Sequence, residues 1–336
     1  MNKIREIIKE RILVLDGAMG TMIQSHKLKE EDYRGLELKD HPMPLLGNND
    51  LLSVTQPEII KGVHRAYLEV GADIIETNTF SSTSIGMADY GLEEWVHKIN
   101  YESAKIAKEV ANEYNILNPK KPRFVAGSIG PTNKTASMSP DVNQPGFRAV
   151  DFDELVSAYS EQIVGLKEGG VDLLLIETVF DTLNAKAALF AVSQIKEQQQ
   201  WEVPVMLSGT ITDASGRTLS GQTVGAFYIS LQHMDLLSIG FNCALGADQL
   251  LPYVKELSMI SNSFISAHPN AGLPNTFGEY DQSPDEMQNQ IQRYLDQNLV
   301  NIIGGCCGTT PEHIAKIVAI TANSSPRKIN LTVDVS

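Results

Sequence analysis

The sequence predicts a single (β/α)8 TIM barrel, and three observations predict it. Short β-rich apolar runs alternate with longer amphipathic stretches of helical periodicity along the whole chain of 336 residues. The pair recurs eight times, the count that closes a barrel of parallel strands through right-handed crossovers. No Gly-x-Gly-x-x-Gly, the mark of the competing doubly wound sheet, occurs, and no linker or block of like charge splits the chain.

In order, the N-terminal stretch Met1 to Glu10 mixes charged and apolar residues at helical spacing, and strand one is read at Ile12 to Leu15. The helix Gln56 to Val70 leads to strand two, Asp73 to Glu76, and the helix Leu92 to Asn115 to strand three, Arg123 to Ala126. Strand four, Asp172 to Glu177, lies between the helices Asp151 to Glu168 and Asp181 to Gln199. Strand five, Val203 to Ser208, precedes the helix Thr223 to Met234, and strand six, Leu237 to Asn242, the helix Ala247 to Ser258. Strand seven, Phe264 to Ala267, is followed by Pro284 to Gln297, and strand eight, Val300 to Ile303, by Pro311 to Ala322, which opens at Thr310-Pro311. Residues 1–323 are assigned to the barrel and 324–336 to a tail or the start of an interdomain linker. Two connections are long, Gln24 to Ser53 and Gly127 to Val150, and long ordered loops at one face of a barrel tend to be functional. A faint echo links Gly71-Ala72-Asp73-Ile74-Ile75-Glu76-Thr77 with Gly170-Val171-Asp172 through Glu177-Thr178; the other units lack it, so it is no sequence repeat.

Composition narrows the function. A hydrophobic fraction of 42% with 20% charged residues is an ordinary globular balance. With 41 acidic against 27 basic side chains the net charge is −14, which speaks against nucleic acid or an anionic membrane as partner. No run reaches bilayer length and the N-terminus lacks a signal-peptide core, so with three cysteines, an odd number, a reducing cytoplasm is expected.

In such a barrel the active site lies at the C-terminal ends of the strands. There the sequence delivers Asp16-Gly17 from strand one, Glu76-Thr77-Asn78-Thr79 from two, Gly127-Ser128 from three and Glu177-Thr178 from four. Strand five brings Ser208-Gly209-Thr210, six Asn242-Cys243, seven His268-Pro269-Asn270, and eight Gly304-Gly305-Cys306-Cys307. Three readings of the cysteines stay open: small core hydrophobes, a vicinal redox pair, or a zinc site made by Cys243, Cys306 and Cys307. Their place after apolar strands at glycine-rich turns favours metal, and three ligands leave a fourth position open, as catalytic zinc sites do. The Asn270 carbonyl oxygen is a candidate for that position, and His268 for a supporting role behind it. Each carboxylate also has a plain alternative as a turn, cap or helix-end acid.

Three thiolates make zinc a poor generator of hydroxide, yet still able to take up an incoming thiol as an electron-rich thiolate near neutral pH. That chemistry suits sulfur alkylation. Carboxylates at the same mouth suit a substrate ammonium group, and backbone N–H groups at Gly17 and the strand-two turn suit its carboxylate.

Arg11 to Met22, Ile74 to Phe80, Gly130-Pro131-Thr132-Asn133, Thr212 to Gly221, Ala267 to Gly272 and Gly304 to Gly308 resemble the homocysteine S-methyltransferase family over nearly the whole chain. Within it, Gly47-Asn48-Asn49-Asp50, Thr212 to Gly221 and His268 to Gly272 resemble the N-terminal homocysteine-binding domain of cobalamin-dependent methionine synthases. The resemblance implies zinc on Cys243, Cys306 and Cys307, the homocysteine amino group on Asp16 and Glu177, its carboxylate near Gly17 and Thr77, and Asn270 as resting fourth ligand. It further implies methylcobalamin as donor, carried by another domain or protein, and a folate-binding domain where the chain is part of a longer one. Onium donors such as betaine or S-methylmethionine are the alternative. Both tryptophans, Trp95 and Trp201, are placed away from the mouth, so an aromatic cage for an onium group lacks its best material.

Overall fold

The computed structural model describes residues 3–212 and 215–329. Eight parallel strands form one sheet: β1 (Leu13–Val14), β2 (Ile74–Glu76), β3 (Phe124–Ile129), β4 (Leu173–Val179), β5 (Val205–Gly209), β6 (Ser238–Gly246), β7 (Phe264–Asn270) and β8 (Ile302–Ile303). Each strand pairs with its neighbours in sequence, β8 pairs with β1, and a bridge between Leu15 and Ile74 joins β1 to β2, so the sheet closes into the predicted barrel. Outside lie α1 (Pro57–Glu69), α2 (Val96–Leu117), α3 (Phe152–Gly169), α4 (Thr182–Gln199), α5 (Val224–Leu231), α6 (Ala247–Ile260), α7 (Pro284–Asp296) and α8 (Pro311–Thr321). The helix starts follow from local chemistry: Asp151 and Ser283 cap α3 and α7 in reciprocal boxes with Glu154 and Glu286.

Alternation along the strands divides the core in two. Outward residues such as Val14, Ile75, Val125, Leu174, Leu207, Ile239 and Ile303 pack under the helices. Inward Leu13, Leu15, Ile74, Phe124, Leu173, Leu175, Met206, Phe264 and Ile302 fill the lower lumen, which Ile4 and Ile8 of the helix Lys3–Glu10 plug from below. Apolar filling stops halfway up, so the polar inward residues above it form a floor and not a channel.

The echoed segments do the same work. Gly71 and Gly170 both adopt the left-handed conformation, and Asp73 and Asp172 each accept a hydrogen bond from the preceding strand, from the Val14 N–H at 3.0 Å and the Val125 N–H at 2.8 Å. Each segment then runs up its strand and delivers Glu76 or Glu177 to the mouth. The likeness is functional even though it does not extend to the other units.

Several strands run past their predicted ends. β4 continues to Val179, β6 to Gly246 and β7 to Asn270, with irregular register between Ile176 and Val179 and between Asn242 and Gly246. Apolar periodicity ends where the site residues begin, so sequence reading stops short there. The connection Gln24 to Ser53 carries helical turns at Glu30–Arg34, Asn49–Leu51 and Leu52–Thr55, with its own core of Tyr33, Leu38, Leu45 and Leu51 against Val96 and Ile99. Of the predicted tail, 324–329 is described, where Arg327 bonds back to Val300 and Asn301; residues 330–336 lie outside the described part. No helix among the described residues is long and apolar enough to cross a membrane.

Candidate active site

The strand ends open into a cavity of about 950 Å3. Its lining includes Asp16, Gly17, Thr77, Glu177, Cys243, Cys306 and Cys307, so residues predicted from five different strand ends meet in one place. Asn270 is buried and is not among the lining residues, but the backbone on either side of it is tied to the cysteine pair: the Cys306 N–H donates to the Pro269 carbonyl and the Ala271 N–H to the Cys307 carbonyl, both at 2.9 Å.

The three Sγ atoms lie within 4.8 Å of one another, with Cys243 and Cys307 3.8 Å apart. Ligands at ~2.3 Å in a tetrahedron are separated by about 3.8 Å, so the spacing fits a zinc ion. A second observation agrees: the Asn270 Oδ1 is buried and has no hydrogen-bond partner, which an oxygen ligand to the same ion would explain. Unmetallated, the thiols share their protons unequally. Cys307, accepting from Cys243, Cys306 and the Tyr280 hydroxyl, is held down to about 3. Cys306 is pushed well up by donating to the other two thiols and by burial. Cys243 receives from Cys306 but loses more by donating to Cys307 and by burial, and rises to about 11.

The backbone that presents these thiols is strained. Cys243 and Ala244 are consecutive non-glycine residues in the left-handed region, with φ of 60° and 56°, and Thr178 on β4 has φ of 54°. At the end of β8 the chain passes so close to Thr309 that a Cβ on Gly305 would lie 2.5 Å from its hydroxyl, which is why a glycine precedes the cysteine pair.

Facing the sulfurs are three carboxyl groups. Asp16 is buried; one oxygen accepts from the Glu76 N–H at 3.0 Å and the other has no partner. Glu177 is buried and accepts from the Ser128 hydroxyl at 2.6 Å and the Asn242 amide at 3.2 Å. Glu76, half-buried, lines the same cavity. Burial is the largest cause that raises all three; repulsion from Glu177 adds to it at Asp16, from Glu177 and Asp16 at Glu76, and from Cys307 at Glu177.

Three residues outside the predicted set matter here. Glu76 completes the acid group, and its signal was the Glu-Thr shared with Glu177-Thr178. Asn242 joins the two halves: it accepts from the Ser208 hydroxyl at 2.6 Å and the Thr178 N–H at 3.0 Å, while its amide donates to Glu177 and reaches the Cys306 sulfur at 3.9 Å. Tyr280, from the loop before α7, lines the cavity against Cys307 and carried no sequence signal. Among the predicted residues, the Thr77 hydroxyl is bonded to Thr79 and to the Ser128 N–H, and its own N–H to the Ala126 carbonyl. The N–H groups of Gly17 and Asn78 have no partner among the described residues, and both residues line the cavity. His268 lines the floor, buried, with its Nε2 unpaired and its pKa lowered by burial to about 3, so it is neutral. Neither tryptophan lines the cavity, but Phe80, Tyr90, Phe180 and Tyr280 do.

The sequence model of the homocysteine S-methyltransferase family matches residues 13–321. Among solved structures, the metallated form of the homocysteine methyltransferase MmuM from Escherichia coli is similar at 24% identity and a TM-score of 0.71, over 94% of this chain and 98% of that one. The oxidized form of the same enzyme matches at 22% identity and a TM-score of 0.71, over 94% of this chain and 97% of that one. These two likenesses speak for the fold. The family match spans nearly the whole chain, and the chain belongs to the homocysteine S-methyltransferase family.

Proposed function

We propose that this chain binds L-homocysteine at zinc held by Cys243, Cys306 and Cys307 and presents its sulfur to methylcobalamin on another domain or protein, giving methionine. The observation that carries it is the juxtaposition of three thiols within 4.8 Å of one another with three acids, in a cavity that no lysine or arginine lines among the described residues. A bound zinc ion would supply the positive charge that keeps an incoming thiol deprotonated near neutral pH.

The chain's own residues do the rest. Asp16 and Glu177 hold the ammonium group; the Gly17 N–H and the turn from Thr77 to Asn78 hold the carboxylate; Asn242 fixes Glu177 relative to Cys306. Asn270, whose Oδ1 has no partner among the described residues, would hold the ion's remaining position in the absence of substrate. The side chain of homocysteine then points from acids to sulfurs, and its sulfur is exposed to the mouth.

The size of the cavity supports this choice of donor. An amino acid the size of homocysteine fills a minor part of about 950 Å3, which suits a broad planar donor brought to the mouth from outside. An onium donor is the second reading, favoured by Phe80, Tyr90, Phe180 and Tyr280 in an acidic cavity, which can supply an aromatic surface without tryptophan. A screen for methionine formation separates them. Homocysteine-dependent demethylation of added methylcobalamin is expected, with no turnover of betaine or S-methylmethionine; saturable turnover of either onium compound and none with methylcobalamin overturns the assignment.

A further inference from the structure

The three acids rise from the ends of three strands, Asp16 after β1, Glu76 at the end of β2 and Glu177 on β4, and share one space that no lysine or arginine lines among the described residues. Three carboxyl groups that line one cavity repel one another when all are ionised, which favours a proton on one of them. The donors around them say which residue carries it: Asp16 accepts from the Glu76 N–H. Glu177 already accepts from Ser128, Asn242 and Thr178, which favours its charged form. Glu76 has no such donors on its carboxyl group. The other groups facing it are Asp16, whose buried Oδ1 is unpaired, and the Tyr67 hydroxyl, which donates to the Ala18 and Thr309 carbonyls and has nothing left to give.

We propose that Glu76 bears a proton in the ligand-free site and releases it to solvent when an α-ammonium group settles among Asp16, Glu76 and Glu177. The ammonium charge offsets the repulsion that the proton relieved before, so the Glu76 carboxyl ionises and one proton leaves for each amino acid bound. This rests on the proposed homocysteine site, but it concerns the amino end of the ligand and is independent of the sulfur.

L-Methionine, which has no thiol, isolates the effect. Calorimetric titration of the purified protein at neutral pH, in buffers of different ionisation enthalpy, counts the protons. About one proton per methionine is expected for the wild type and about none for Glu76→Gln; with homocysteine the counts are about two and about one, the thiol adding its own. A wild-type methionine count near zero, or one unchanged in Glu76→Gln, overturns the proposal. Should the variant not fold, the wild-type protein still decides. Methionine affinity rises about tenfold per pH unit below the Glu76 pKa if a proton is expelled, and a flat profile over acid to neutral pH refutes it. A homocysteine count no greater than that of methionine strikes instead at the sulfur reading, and failure of both ligands to bind removes both.

Discussion

Alanine at Cys306 or Cys307 is expected to remove bound zinc and reduce homocysteine methylation by at least about a thousandfold, ~4 kcal/mol of barrier, while leaving the barrel folded. The fold should survive because the sulfurs sit above the apolar filling of the lumen and are themselves partly exposed, so little packing is lost. Activity should not, because two thiols leave the ion without a defined open position. Elemental analysis and circular dichroism of wild type and variants read the two effects separately, with about one zinc per wild-type chain expected. A variant that keeps its zinc and its rate would show that the sulfurs are not ligands. Wild-type protein that lacks zinc and carries a Cys306–Cys307 disulfide would favour the redox reading.

Legibility in the sequence followed periodicity. The barrel was readable because its lower half is built from inward and outward apolar residues, and the order of eight strands needed only their count. The site was readable in part because every barrel strand ends on the same face, so Asp16, Glu177 and the cysteines could be brought together without knowing any distance. What was not readable was where polar residues continue a strand: β4 and β6 carry their site residues through bulges and left-handed backbone, conformations that no apolar pattern signals. Asn242 looked like one more strand-end amide, and its role as a tie between Glu177 and Cys306 exists only in three dimensions. Tyr280 comes from an irregular loop and reaches Cys307 because Gly308 leaves room; a Cβ there would lie 2.3 Å from the tyrosine Cβ. The expectation that an onium cage lacks its best material concerned the tryptophans, neither of which lines the cavity; two phenylalanines and two tyrosines that do line it were not weighed.

Glu177→Gln should leave zinc in place and weaken homocysteine by roughly ten- to a hundredfold, since a charge-assisted contact to an ammonium group is typically worth about 1.5–3 kcal/mol. The same change should alter how stability depends on pH. Burial, more than any neighbour, raises the folded-state pKa of Glu177, so the native protein penalises its charged form. A carboxyl group raised in this way contributes stability that is fully present below its unfolded pKa and is lost as pH climbs through the folded value. Glutamine removes that loss. Its amide must also face the donors Ser128 and Asn242, which sets an offset between the two proteins, but the offset does not vary with pH. The melting temperature of the variant relative to wild type should therefore rise from acid toward neutral pH in the absence of ligand. Homocysteine should reverse the trend for the wild type, because its ammonium group stabilises the charge that folding alone disfavours. A variant with normal homocysteine affinity and a constant deficit in melting temperature at every pH would reduce Glu177 to a helix-end acid and move the ammonium site elsewhere in the cavity.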